Sequence, residues 1–251
     1  MDGVALYGAS LSDDAMSLYF AAYSADNEAI YVTQRTQRNA DFLQATAVDE
    51  LDTAGANGTP QLSSDGLALY FYSTRPGGPG DRDMWVATRT STGSPFAAPT
   101  LLDNVNSTSL DHHPWVRTDG LELFFASDRN GGEGDRDFWR ATRASVDDPF
   151  GVPSNSGALN TQSGEASLSL SQDGLTAIFA SDRNGGQGAY DLWMATRPTP
   201  NADFDDLQNL AELNGSSDDV DGSLSSDGSE LFFTSARRGI YDLYRATREC
   251  L

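Results

Sequence analysis

The chain has 251 residues and a formal net charge of −21, from 37 acidic against 16 basic residues. That balance repels nucleic acid and anionic membranes, and it suits cations, basic polypeptides or uncharged ligands such as glycans. A run of about 18 apolar residues, enough to span a bilayer, is absent from the sequence, and the single cysteine, Cys250, allows no intrachain disulfide.

The first segment, SLSDDAMSLYFAAYSADNEAIYVTQR, opens a pattern that then recurs four times. The second copy is QLSSDGLALYFYSTRPGGPGDRDMWVATR, from Gln61. The third is WVRTDGLELFFASDRNGGEGDRDFWRATR and the fourth SLSQDGLTAIFASDRNGGQGAYDLWMATR. The fifth, SLSSDGSELFFTSARRGIYDLYRATR, has a hairpin three residues shorter. Asp65, Asp119, Asp173 and Asp227 are each followed by Gly and stand 54 residues apart, while Asp14-Ala15 takes that place in the first copy. A regular period of this length marks stacked supersecondary units.

Within each copy a short strand (a) ends at the Asp-Gly corner, a strong hairpin signal. A second strand (b) follows, rich in Leu, Tyr and Phe, as at Leu69-Tyr70-Phe71. A glycine-rich loop leads to a third strand (c), as at Met84-Trp85-Val86, which ends at Ala-Thr-Arg. Aromatic and β-branched content favours strand, and no segment holds a 3.6-residue period. Phe42, Phe96, Phe150 and Phe204 recur at the same spacing, as do Leu51, Val105, Leu159 and Leu213; these predict an outer strand (d) and its exit.

Four antiparallel strands repeated five times predict an all-β, five-bladed β-propeller. The chain reads as one domain, residues 1–251, with blades at about 1–56, 57–110, 111–164, 165–218 and 219–251. Strand d occurs only four times. Blade five is therefore three-stranded, or capped by residues 4–7, or the chain is cut from a longer one. No signal peptide is visible, and Met1-Asp2-Gly3 leads straight into repeat-like sequence, as in a mature or trimmed piece.

The recurring charges suggest pairings. Arg75, Arg129, Arg183 and Arg237 follow strand b, and Asp83, Asp137, Asp191 and Asp242 open strand c; a bond across the b–c hairpin is expected. Arg35, Arg89, Arg143, Arg197 and Arg248 end strand c and are expected to meet the turn aspartates. Trp85, Trp139, Trp193, Tyr31 and Tyr244 are expected to pack between blades.

One face carries the glycine-rich b–c loops and the long d–a connections, the places where function concentrates. Eight residues before the turn aspartates stand Asn57, Asp111, Glu165 and Asp219, with Leu6 in blade one. They open the innermost strand and are expected to ring the mouth of the central channel as a ligand site, together with His112 and Trp115. Such hard oxygen ligands suit Ca²⁺, and Asp218, Asp219 and Asp221 are the metal candidates; a solvated polar rim is the alternative. The run SDRNGGEGDRD lacks EF-hand spacing. His112 and His113 are adjacent, and strand alternation would send them to opposite faces. No Gly-x-Ser-x-Gly, phosphate loop or zinc spacing occurs, so no catalytic residue is assigned.

The pattern S-x-DG-x-x-L-x-F-x-S-x-R, then a glycine loop, then x-D-L-W/Y, resembles the WD-like propeller repeat of the TolB type. Its SDRNGG-x-G-x-x-D-L-W form, at 181–193, is similar to versions found in bacterial envelope and secreted proteins. The resemblance implies a periplasmic or extracellular address and a partner-binding role, as in the TolB propeller; the same blade type gates substrate access in prolyl oligopeptidases and the tricorn protease. TolB has six blades behind an α/β domain, whereas this chain shows about five. The functional expectation is a non-enzymatic module binding a protein or peptide, basic ones included, at an acidic mouth, without nucleic acid or membrane insertion. The alternative is a glycan-active propeller, a lectin, hydrolase or lyase using the mouth carboxylates Asp111, Glu165 and Asp219.

Overall fold

The computed structural model describes residues 4–24, 27–51, 55–200 and 202–247. Arg248 and Cys250 lie outside the described residues. Blade one is β1 (Ala5–Leu11), β2 (Ser17–Tyr23), β3 (Glu28–Gln34) and β4 (Thr46–Ala47). Blade two is β5 (Asn57–Leu62), β6 (Ala68–Ser73), β7 (Asp83–Thr88) and β8 (Thr100–Leu101). Blade three is β9 (Asp111–Val116), β10 (Glu122–Ser127), β11 (Asp137–Thr142) and β12 (Ser154–Asn155). Blade four is β13 (Glu165–Leu170), β14 (Thr176–Ser181), β15 (Asp191–Thr196) and β16 (Asp205–Asn209). Blade five is β17 (Asp219–Leu224), β18 (Glu230–Ser235) and β19 (Asp242–Thr247). Every sheet is an antiparallel meander, four-stranded in blades one to four and three-stranded in blade five. Among the described residues no helix is long and apolar enough to cross a membrane.

The period is written into the packing. Among the described residues five apolar clusters form, each joining two blades. Phe71 and Trp85 of blade two meet Tyr19, Val48 and Leu51 of blade one. The same arrangement repeats around Phe125 with Trp139, Phe179 with Trp193, and Phe233 with Tyr244. The fifth cluster joins Phe232 of blade five to Ala9 and Leu18 of blade one, and the Leu6 N–H donates to the Tyr241 carbonyl at 2.9 Å. The ring is thereby closed. The strand-c aromatics Trp85, Trp139, Trp193 and Tyr244 lie between blades as the sequence suggests, while Tyr31 stacks on Phe20 within its own blade. Burying one such ring stabilises by roughly 1.5–3 kcal/mol, so each interface gains from several.

Strand d is shorter than the spacing implies, with two paired residues in blades one to three. Phe96 and Phe150 precede it as anchors. The guanidinium of Arg89 lies 4.5 Å above the Phe96 ring, and that of Arg143 lies 4.4 Å above Phe150. These arginines do not pair with the turn aspartates. Their Nε donates to the carbonyl of the turn glycine, Gly66 or Gly120. The turn aspartate is already engaged: Asp65 accepts from the Ser63 hydroxyl and the Leu67 N–H. This Asx turn needs no cation. In blade one Arg35 makes the same bond to the Ala15 carbonyl and also spans the closure to Glu230 of blade five.

Candidate functional site

Each innermost strand carries an irregularity at one place. The a–b ladder shifts register at Tyr7/Ser10, Gly58/Gln61, and the equivalent points of blades three to five. The residue responsible has positive φ in every blade: Gly8, Thr59, His113, Ser167 and Asp221. Such a β-bulge re-aims a side chain that alternation would send elsewhere. These five residues line the channel, a narrow space of about 100 Å³.

The bulges tie the ring. The His113 N–H donates to Thr59 Oγ1, the Asp221 N–H to Ser167 Oγ and the Gly8 N–H to Asp221 Oδ2. His113 Nε2 lies 3.1 Å from Asp221 Oδ1. Strand alternation does not separate the two histidines: with φ at +52° in His113, its ring meets that of His112, centroid to centroid at 4.5 Å. His112 is buried, and that burial, with His113 and the nearby Arg136 and Arg82, pushes its pKa well below the usual imidazole value. It is neutral at pH 7.

Above this floor opens a pocket of about 500 Å³, on the face of the b–c loops and d–a connections. Its rim takes one residue from each blade: Glu28, Arg82, Arg136, Tyr190 and Tyr241. Tyr7, Tyr23 and Tyr72 complete the wall on the side of blades one and two. Gly58 makes room there, since a Cβ at that position would stand 2.5 Å from the Tyr72 ring. Glu28 accepts from the phenols of both Tyr7 and Tyr72. Burial and that carboxylate raise the Tyr72 pKa, so the phenol keeps its proton. Asp218 accepts from the Tyr241 phenol and the Tyr190 N–H, and burial with that bond raises the Tyr241 pKa.

The expected ring of Asn57, Asp111, Glu165 and Asp219 occupies the first position of four successive innermost strands, fully buried. Each is held by the arginine that follows strand b. Arg75 donates to Asn57 Oδ1 at 2.7 Å, Arg129 to Asp111 at 2.5 Å, Arg183 to Glu165 at 3.0 Å and Arg237 to Asp219 at 2.6 Å. The same Nη2 atoms reach back to the carbonyls of Leu51, Val105, Leu159 and Leu213 of the preceding blade. The arginines are thus staples between blades, not partners of the strand-c aspartates across the hairpin. Burial dominates the Glu165 environment and raises its pKa, with Thr161 and Arg183 opposing.

Asp83, Asp137 and Asp191 instead accept backbone N–H groups of the glycine loop. In blade three a Cβ on Gly132 would fall 1.8 Å from Asp137 Oδ2, and one on Gly134 would fall 2.1 Å from the Ser163 carbonyl oxygen. The SDRNGG-x-G run is therefore a self-contained loop closure. Among the described residues no three His, Cys, Asp or Glu converge as a metal site; Asp218 faces Tyr241, Asp219 faces Arg237 and Asp221 faces His113. Trp115 lies two residues beyond the bulge, toward the Asp-Gly end of the channel.

The rim positions do not stand out in the sequence, although they obey its period. Residues 28, 82, 136 and 190 are 54 apart, and 241 follows after the shortened hairpin. Their identity changes from blade to blade while the framework repeats, and that contrast is the signal that could have found them.

No family model matches the chain, and no curated protein matches it. Solved structures share its fold. TolB from Acinetobacter baumannii superposes with a TM-score of 0.56 at 14% identity, over 96% of this chain and 51% of that one. The chain thus spans about half the length of that TolB. An endo-arabinase from Bacteroides thetaiotaomicron superposes with a TM-score of 0.66 at 11% identity, over 99% and 96% of the two chains. The catalytic domain of a GH62 alpha-L-arabinofuranosidase from Coprinopsis cinerea gives 0.60 at 11% identity, over 92% and 84%. These likenesses establish a propeller fold shared with TolB, an endo-arabinase and an alpha-L-arabinofuranosidase, and they favour neither role.

Proposed function

We propose that this chain is a non-enzymatic binding module of TolB-like type, taking a protein or peptide end-on in the mouth pocket. The observation that carries the reading is the state of the mouth carboxylates. Hydrolysis of a glycosidic bond needs one carboxyl group to give a proton and another to act as base or nucleophile. Glu28, Asp218 and Asp221 are each engaged by phenols, an imidazole or backbone amides. Asp111, Glu165 and Asp219 are fully buried against arginines. What the pocket offers a ligand is aromatic wall and donors, the composition of a recognition surface.

Tyr23, half exposed, and Tyr190 have no hydrogen-bond duty for their phenols among the described residues, so their loss breaks no internal hydrogen bond. Arrays of peptides and oligosaccharides probed with the intact chain test the reading. Peptide signals lost in Tyr23→Ala with Tyr190→Ala, at unchanged melting temperature, support it; signals indifferent to both substitutions refute it. The glycan-active alternative draws support from the raised Glu165 pKa, the mark of a proton donor. It requires sugar release by the wild type that Glu165→Gln abolishes. An envelope address accompanies the TolB-like reading, and fractionation of the source cell tests it.

A further inference from the structure

Among the described arginines, all but three donate to a carboxylate, carbonyl, amide or hydroxyl oxygen. The exceptions are Arg82, Arg136 and Arg238. Arg238 is exposed and lies over Tyr244. Arg82 and Arg136 are different: both are half-buried, both precede the first residue of strand c in adjacent blades, and both face the mouth pocket. In a chain of charge −21, two guanidinia without a carboxylate within 4.0 Å stand out. A half-buried guanidinium without an acceptor from the protein keeps its donors for a ligand that supplies one.

The surroundings direct these donors toward a ligand. The pocket acids are withdrawn: Glu28 is held by two phenols, Asp218 by Tyr241, and Asp221 by His113 and the Gly8 N–H. Arg82 is steadied 4.8 Å above the Tyr72 ring. The Tyr190 phenol, next along the rim after Arg136, adds a third donor without an acceptor. Beneath the pocket the channel narrows to about 100 Å³, with His113 3.1 Å from Asp221 across it, so a chain enters end-first.

We propose that Arg82, Arg136 and Tyr190 form a subsite for the terminal carboxylate of a peptide. The proposal rests on the mouth-binding reading and deepens it. Guanidinium forks match the planar two-oxygen geometry of a carboxylate. A pocket over so narrow a channel reads chain ends, and every unmodified peptide carries a carboxylate at one end. The remote negative charge opposes this weakly, because exposed charges beyond a Debye length of about 8 Å are screened at physiological salt. The subsite so proposed takes an anionic group.

The test uses the full chain on two peptide arrays of identical sequences, one with free C-termini and one C-terminally amidated, beside an array of uronate and neutral oligosaccharides. The expected result is binding to free C-termini alone. Arg82→Gln and Arg136→Gln should each weaken it at least about tenfold, with unchanged melting, and Arg82→Lys should fall between. Equal binding of amidated peptides, binding confined to oligosaccharides, no peptide binding, or full affinity in the Arg82→Gln, Arg136→Gln pair overturns the proposal. If that pair binds normally while Tyr23→Ala alone, outside the trio, does not, the subsite fails and the mouth reading stands; if neither matters, both fail.

Discussion

The imidazole of His113, on blade three, lies 3.1 Å from the carboxylate of Asp221, on blade five. Blade four stands between them, so the contact crosses the channel. Both residues sit on bulges with positive φ, which is what turns them inward. This contact crosses the narrow space beneath the mouth pocket. His113→Ala is expected to open it. Hydrogen exchange should quicken at amides 113 and 221, while the strand-b amides of β10 and β14 stay protected. Unchanged exchange at both inner positions would show that the bridge seals nothing.

His112 gives the fold a pH dependence with a definite sign. Its folded pKa lies well below 6.5, chiefly through burial. The unfolded chain therefore binds the proton first, and the stability held in the neutral ring is present above about 6.5 and lost as pH falls through and below that value. The slope from this residue is at most about 1.4 kcal/mol per pH unit. Glu165, with its raised pKa, acts in the opposite sense above 4.5, its contribution fading as pH rises. Denaturant melts of wild type and His112→Gln between pH 7 and 5 (roughly the His window) isolate the histidine by difference. Parallel curves would contradict the assignment.

The interblade staples are expected to dominate single-residue costs. Arg183→Ala strands the fully buried Glu165 carboxylate and should destabilise by about 3–5 kcal/mol. Arg38→Ala removes an exposed pair with Asp227 and should cost under about 1 kcal/mol. Urea unfolding of the two variants measures the contrast; similar losses would mean that the buried pair is no staple.

The asparagines that follow the strand-d exits act as backbone clamps. Asn160 Oδ1 accepts from the Phe138 N–H at 2.8 Å and its Nδ2 donates to the Phe138 carbonyl at 3.0 Å. Asn106 grips Met84 and Asn214 grips Leu192 identically. Asn160→Ala leaves the buried Phe138 N–H unmet, at about 1–3 kcal/mol, while the Phe138 carbonyl keeps the Ser156 N–H; Asn160→Asp keeps the acceptor and should fall between. A loss below that range by calorimetric melting would make the clamp dispensable.

The framework is legible in the sequence because every interface makes the same demand. Phe71, Phe125, Phe179 and Phe233 fill equivalent slots, and the Asp-Gly corners meet equivalent turns, so packing prints its period on the chain. Side-chain direction is not legible in the same way. Arg129 lies within reach of both Asp137 and Asp111, and spacing alone does not choose; the carbonyl of Val105 in the preceding blade decides it. The bulge residues Thr59, His113, Ser167 and Asp221 share a backbone conformation and no residue type, which conceals their common role. Glu28, Arg82, Arg136, Tyr190 and Tyr241 are hidden by their diversity, because a pocket rim is free to vary where an interblade slot is not.

The claim that the mouth pocket is the binding surface meets its most direct test in hydrogen-exchange mass spectrometry of the whole chain, with and without the strongest array-selected peptide. Protection is predicted at the openings of strand c, around residues 82, 136, 190 and 241. Protection confined to the Asp-Gly turns around 65, 119 and 173, on the opposite face, would contradict it.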